Sequence, residues 1–307
     1  MTDIAAHTAP EIAPDDIVSA FQIEGLPVRG RVVRLGAAVD EVLTRHDYPE
    51  PVANLLGEAC ALAALVGSSL KFEGRLIVQA QGDGPVRYVV VDYDTSGGLR
   101  GYCRFDAEAV AKASEGFVRP GARTLLGGGT FMMTVDQGAD MDRYQGITPI
   151  EGETLALCAE QYFAQSEQTP TRVRLAVGQA DTGEGLKWRA GGILIQSIAG
   201  DAARGDTEEA WTHAQALFET TGEDELIDPT VPTTLLLWRL FNEDGVRLIE
   251  EKPLRAFCRC SEDRIAGVLG SFTAQEVAEM VEPDGKIHVT CEYCSTVYAL
   301  APEAAAG

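Results

Sequence analysis

Long apolar runs, an excess of positive charge and a catalytic histidine constellation are all missing from this sequence of 307 residues. No apolar run approaches the eighteen or more residues that signal a membrane span. The first residues, Met1 to His7, lack the basic start and apolar core of a signal peptide. A cytoplasmic protein with no membrane partner is therefore expected. Its thiols then sit in a reducing compartment, where metal binding or redox sensing explains cysteine better than a standing disulfide framework. Lys and Arg total 25 against 47 Asp and Glu, a formal net charge of −22. A polyanion of that strength repels phosphate backbones, so no nucleic-acid partner is expected. High net charge also keeps a chain soluble when apolar surface is exposed.

Enzymatic signatures are absent as well. The four histidines, His7, His46, His213 and His288, form no His-Glu-x-x-His arrangement. Gly127-Gly128-Gly129-Thr130 is not followed by the Lys-Ser/Thr of a phosphate loop and reads as a flexible lead into a strand. No Gly-x-Ser-x-Gly occurs, and the Asp and Glu residues show no paired spacing for acid–base work. The expectation is a protein that is not an enzyme. There is no internal repeat and no heptad pattern.

The length implies two or three domains, and a hydrophobic content of 45% is enough for a sizeable core. Residues 1–15, rich in Ala, Pro and Asp, read as a disordered tail. Residues 16–200 read as an α+β core. A strand at Val28–Leu35 precedes a helix over Ala37–His46, and Pro49 and Pro51 open a longer apolar helix towards Ser69. Strands follow at Arg75–Gln81, Arg87–Tyr93 and Leu99–Phe105, the last two joined by a turn at Asp94–Gly98. A strand at Thr130–Val135, a helix at Glu153–Gln165 and strands at Val173–Val177 and Gly192–Ile198 complete the core. Residues 201–253 read as a metastable helical linker. Its helices, Thr207–Thr221 and Thr233–Phe241, are too few to enclose a core of their own and must dock on the first domain. In the second, Leu235, Leu236, Leu237, Trp238 and Phe241 are expected to be hidden only by that docking.

Residues 254–301 carry the sharpest chemical signal, and residues 302–307 are a short tail. Cys258-Arg259-Cys260 and Cys291-Glu292-Tyr293-Cys294 place four of the seven cysteines in two tight pairs. Tetrahedral zinc takes four thiolates, and each pair can fold a small loop around one ion. Four Cys ligands leave no open coordination site for catalysis. His288, three residues before Cys291, reads as a solvent-facing strand residue. The segment has few large apolar residues, among them Phe257, Ile265, Leu269, Phe272, Val281, Ile287, Tyr298 and Leu300. A unit this small is not stabilised by burial alone, so the metal should decide whether it folds. A capping box at Thr273–Glu276 starts a short helix to Val281, Asp284-Gly285 makes a turn, and Ile287–Thr290 is a strand. The site is then either a structural staple or a redox sensor. Cys60, Cys103 and Cys158 lie in apolar stretches and read as buried small hydrophobes.

The two cysteine pairs, at this separation and at the end of the chain, resemble those of heat shock protein 33, the redox-regulated bacterial chaperone family. The resemblance extends to Leu99-Arg100-Gly101-Tyr102, Tyr144–Ile147, Tyr162–Thr171 and Ala190–Gln196. Trp211, Glu225-Leu226 and Arg239-Leu240-Phe241 in the linker fit as well. It implies one zinc per chain in the reduced form, held by Cys258, Cys260, Cys291 and Cys294. It further implies oxidation to Cys258–Cys260 and Cys291–Cys294 disulfides, loss of the metal, unfolding of the metal domain and linker, and homodimerisation. The oxidised protein would then bind unfolded or aggregation-prone polypeptides without ATP. No client-binding residue is identified. The rivals are a zinc-ribbon interaction module with a purely structural metal, and a thiol oxidoreductase. The latter is disfavoured because Cys-Glu-Tyr-Cys does not open a helix after a strand.

Overall fold

The computed structural model describes residues 14–71, 73–138, 141–183, 185–198 and 207–305. The chain begins with an antiparallel pair, β1 (Ile17–Ile23) and β2 (Val28–Leu35), then α1 (Ala37–Thr44) and α2 (Glu50–Gly67). Pro49 and Pro51 bracket the start of α2, where a missing N–H costs nothing. By length and composition α2 could cross a membrane, but 83% of it is buried inside the protein. It packs against strands of two sheets, which take up its apolar surface on opposite sides.

The second sheet is laid down by β3 (Arg75–Gly82), β4 (Val86–Asp94) and β5 (Gly98–Phe105). Short helices α3 (Ala107–Ala113) and α4 (Ala122–Leu126) lead to β6 (Gly129–Asp136) and β7 (Tyr144–Pro149). Next, α5 (Leu155–Tyr162) runs into one π-helical turn at Phe163–Glu167, and the long hairpin of β8 (Thr171–Asp181) and β9 (Leu186–Ser197) returns to the first sheet. Helices α6 (Thr207–Phe218), α7 (Glu223–Ile227) and α8 (Thr233–Phe241) follow. They lead into β10 (Val246–Pro253) and a two-residue strand, β11 (Arg255–Ala256). The remainder comprises α9 (Glu262–Leu269), α10 (Ala274–Glu279), a hairpin of β12 (Ile287–Thr290) with β13 (Val297–Leu300), and a 3-10 turn at Pro302–Ala305 within the stretch expected to be a plain tail. Strand order is β10-β1-β2-β9-β8 in one sheet and β11-β5-β4-β3-β6-β7 in the other. The mixed α+β class expected from the sequence is what forms.

Two layers of apolar packing share the five-stranded sheet. Its inner face joins α2 and the six-stranded sheet in the main core, while its outer face is covered by α6, α7 and α8. From the sheet, Phe21, Ile23, Val28, Val32, Ile193 and Ile195 meet Phe218, Leu226, Leu236, Leu237, Leu240 and Phe241 from the helices. The helices thus have no core apart from the sheet, as their sequence requires. The Gly191 backbone is where α7 comes closest: a Cβ there would lie 2.1 Å from the Leu226 carbonyl oxygen. Trp238 is not docked, however, and is 60% exposed. At 3.6 residues per turn, Leu236, Leu237, Leu240 and Phe241 share the buried face and position 238 points away from it.

Other departures from the sequence reading lie at edges. The stretch after α8 forms β10, an edge strand of the core sheet, so the segment 201–253 is helical only in part. Strands β1 and β7 were not anticipated, and β8 and β9 run several residues beyond the expected spans. The disordered-tail expectation falls mostly on residues 1–13, outside the described residues. Asp15, at its end, is ordered. Its carboxylate accepts hydrogen bonds from both Arg189 terminal nitrogens at 2.5 Å and lies 3.7 Å from Arg34 Nε. Those arginine side chains are 2% and 1% exposed, and buried guanidinium groups need such a counter-charge.

Candidate metal centre

Two short turns present the four cysteines. Cys258 and Cys260 leave β11 and enter α9, whose N-cap is Ser261: its side chain accepts from the Arg264 N–H. Cys291 to Cys294 form the turn between β12 and β13, closed by Ser295 N–H to Cys291 O at 2.8 Å and Cys291 N–H to Thr296 O at 2.9 Å. Ser295 turns the chain with φ of 55°. Beneath the turns, α10 starts in the expected capping box, with Thr273 N–H donating to Glu276 Oε2 at 2.8 Å and Glu276 N–H to Thr273 Oγ1 at 3.3 Å. The domain's apolar cluster has four buried members, Leu269, Val277, Ile287 and Leu300.

All four Sγ atoms lie within 4.8 Å of one another, and this is the one such ligand cluster among the described residues. Across the two turns, Cys258 Sγ is 3.7 Å from Cys291 Sγ and Cys260 Sγ is 3.3 Å from Cys294 Sγ. Four thiolates at about 2.3 Å around a tetrahedral zinc would stand about 3.8 Å apart, so the donor set fits that ion. Tyr298 O–H donates to Cys260 Sγ at 3.1 Å, and Thr296 Oγ1 lies 3.2 Å from Cys294 Sγ. Burial raises the Cys294 thiol, yet the Thr296 hydroxyl and N–H, with the neighbouring thiols, bring it down to about 6. Burial pushes Cys260 the other way, up to about 12. His288 is not a ligand: its Nε2 pairs with Asp284 Oδ2 at 2.9 Å on the exposed side of β12.

The same turns are clamped to the core by residues to which the sequence reading assigned no role. Asp92 on β4, whose side chain is 7% exposed, accepts at Oδ2 from Arg100 Nε (2.9 Å), Arg100 Nη2 (2.7 Å) and Arg259 Nη2 (2.7 Å). Arg259 lies between the first two cysteines. The Arg100 guanidinium stacks 3.9 Å from the ring centre of Tyr293, which lies between the second two, and its Nη1 is 3.9 Å from Cys258 Sγ. Arg45 Nη1 donates to Cys294 O at 3.0 Å, and Ser295 Oγ donates to Arg45 O at 2.8 Å. Asp92 therefore holds the first turn through Arg259, Arg100 touches both turns, and Arg45 holds the second. The available signal was the residue type inside each pair, since Arg and Tyr are long enough to reach out of a metal knuckle.

Cys60, Cys103 and Cys158 are buried in the main core, far in character from the cluster. Burial raises all three thiols, Cys60 to about 12, which disfavours the thiolate form.

With this geometry in place, comparison with known proteins is direct. The family model for Hsp33 protein matches residues 16–301. The 33 kDa chaperonin of Caulobacter vibrioides is 84% identical over 305 residues, covering 99% of this chain and 100% of that protein. The 33 kDa chaperonin of Cronobacter sakazakii is 35% identical over 287 residues, covering 94% and 92%. Among solved structures, the 33 kDa chaperonin (heat shock protein 33 homolog) of Thermotoga maritima superposes with a TM-score of 0.77 at 22% identity, covering 95% of this chain and 97% of that one.

Proposed function

The chain belongs to the Hsp33 family, and from that premise we propose that it is a redox-switched, ATP-independent holdase that acts without enzymatic chemistry. The observation that carries this reading is the convergence of four Sγ atoms in a domain with four buried apolar side chains. Cys258, Cys260, Cys291 and Cys294 would hold one zinc in the reduced form. When bound, zinc cross-links the two turns and contributes roughly 10–16 kcal/mol of apparent binding energy, which burial here cannot replace. With every ligand position taken by a thiolate, its role is structural and the reactive groups are the sulfurs themselves.

Oxidation pairs Cys258 with Cys260 and Cys291 with Cys294. Each pair of thiolates gives up two electrons as its S–S bond forms; hydrogen peroxide takes them with two protons from solvent and leaves as two waters, or hypochlorous acid takes them with one proton and leaves as chloride and water. Disulfide sulfurs no longer ligate, and the domain is left with a core too small to hold it folded. Its clamp on Asp92 and Arg100 then fails, and α6 to β10 lose the anchor at their far end. Release uncovers the outer face of the five-stranded sheet, with Phe21, Ile23, Val28, Val32, Ile193 and Ile195, and the apolar sides of α6 and α8. That surface would bind unfolding polypeptides, and dimerisation of the oxidised chain follows from the same exposure. The reducing cytoplasm is the compartment in which such a switch starts in its closed state.

The test is aggregation of chemically unfolded citrate synthase, followed by light scattering with reduced and with peroxide-treated protein while zinc release is measured. We expect one zinc released per chain together with a gain in suppression. Release of zinc with no gain would leave a structural-metal module as the correct reading.

A further inference from the structure

Strands β10 and β11 are consecutive parts of one strap that closes an edge of each sheet. β10 runs antiparallel along β1, from Val246 opposite Ile23 to Pro253 opposite Ile17. β11 then runs parallel to β5 at Gly98 and Leu99. The strap crosses between them over Gly97, whose φ is 90° and where a Cβ would lie 2.2 Å from the Pro253 carbonyl oxygen. Two residues later the chain reaches Cys258, so the strap is the segment joined directly to the first cysteine pair.

The strap and the strand beneath it differ sharply. No β10 residue is buried, and Ile249 is 58% exposed. In β1, Val18, Phe21 and Ile23 are at most 2% exposed. The ladder is interrupted as well: pairing jumps from Ala20–Glu250 to Phe21–Leu248, leaving Ile249 as a bulge. Asp16 O accepts from Leu254 N–H at 2.6 Å, and Glu24 N–H donates to Gly245 O at 2.8 Å. Antiparallel strands alternate with a period of two, so the even-numbered residues Val18, Ala20 and Gln22 aim their backbone groups at the strap. Loss of the strap would turn these groups into an open pairing edge beside an uncovered apolar face.

We propose that this β1 edge captures clients by antiparallel strand addition in the place the strap vacates, an inference that rests on the holdase reading above. The occupant is an extended client segment with apolar side chains at alternate positions, the pattern of an aggregation-prone strand. The strap shows the required fit. Val246 and Leu248 lie opposite Ile23 and Phe21 and pack on the apolar cluster, while Arg247, Ile249, Glu250 and Glu251 are exposed. Backbone bonding makes the site indifferent to sequence, and the apolar face selects segments that have lost their own core.

The experiment uses the full chain, oxidised and freed of zinc, with chemically unfolded citrate synthase as the probe. Amide exchange at Val18, Ala20 and Gln22 should accelerate on oxidation and slow again by ~tenfold or more when the probe is added. The Ser19 and Phe21 amides, which face β2, should stay protected throughout. Ala20→Pro and Gln22→Pro each remove one strap-facing N–H and spare the β2 ladder. Once oxidised, they should suppress aggregation ~tenfold less well, with unchanged zinc content when reduced. A synthetic peptide with the sequence of residues 246–253 should compete with the probe. If a proline variant does not fold, the exchange measurement on the unaltered chain still decides. Oxidised protein that suppresses aggregation while its strap-facing β1 amides gain no protection overturns strand addition and leaves the holdase standing. Oxidised protein that suppresses nothing removes both.

Discussion

At the residue scale, one chain holds two kinds of cysteine, and surroundings separate them. Cys60, Cys103 and Cys158 are closed off among aliphatic side chains, where a thiolate is unfavourable. The other four stand within 4.8 Å of one another with hydroxyl partners at Cys260 and Cys294. Reduced protein should therefore bind one zinc, and the Cys258→Ser/Cys291→Ser double variant should lose it in a metal assay after dialysis. Serine at Cys60, Cys103 or Cys158 should leave the stoichiometry unchanged. Stoichiometric, tight zinc in the double variant would falsify the ligand assignment. Glu58 poses a different residue-scale problem. It lines a cavity of ≈ 350 Å³ with Arg119 and Glu223, and burial raises its carboxyl from 4.5 to about 7, against the attraction of Arg119. A folded-state pKa above the unfolded one means that the folded chain binds the proton more tightly. That contribution is complete below pH 4.5 and is lost as pH rises through 7. Glu58→Gln should thus stabilise the reduced protein at pH 8 by about 1–2 kcal/mol, a figure reduced for the solvent reaching the cavity, and be nearly neutral at pH 5. Urea unfolding at both values is the check; equal effects at the two pH values would show that Glu58 does not carry the burial cost.

At the element scale, what could be read from the sequence divides along range of interaction. Helix α8 lies at Thr233–Phe241, and the β12 strand and the Thr273 cap also fall where local pattern puts them. Each is written in its own residues. Strand β10 is not, because Arg247, Glu250, Glu251 and Lys252 hide any alternation. Its conformation comes from pairing with β1, more than 200 positions earlier in the chain, and Ser19 Oγ to Glu251 Oε1 at 2.9 Å is one such bond. The clamp was invisible for the same reason: Asp92 and Arg259 are 167 positions apart. Arg259→Ala should leave zinc content intact while raising hydrogen exchange over 255–300. The charged hydrogen bond it removes contributes about 1.5–3 kcal/mol, with Asp92 still paired to Arg100. Unchanged exchange would mean that the turns dock without it. For α8, Leu236 is fully buried, so Leu236→Ser combines a cavity with an unpaired hydroxyl and should cost about 2–5 kcal/mol of docking. The zinc-loaded variant should then suppress aggregation partially without oxidant, and a variant as inactive as the reduced parent would argue against linker docking as the restraint.

At the scale of the whole molecule, stability is graded along the chain. The core between the sheets draws on both sheets, α1 to α5 and little from residues beyond 198, with Leu254 as its one buried member from the strap region. The outer cluster is shared about equally between the five-stranded sheet with its β1–β2 turn and the helical segment that follows. The terminal cluster has four buried members, and its cysteine turns are held to the core through Asp92 and Arg100. Removing the metal should therefore act from the end of the chain inward and stop at the first self-sufficient core. Oxidation is expected to raise hydrogen exchange across residues 207–300, while residues 16–198 stay protected apart from the strap-facing amides of β1. If the switch opens as proposed, the net charge of −22 would keep that form dispersed, so the oxidised sample should remain in solution during the measurement. Exchange that rises only over 255–300, with α6 and α8 still protected, would confine the switch to the terminal domain and leave the sheet face covered.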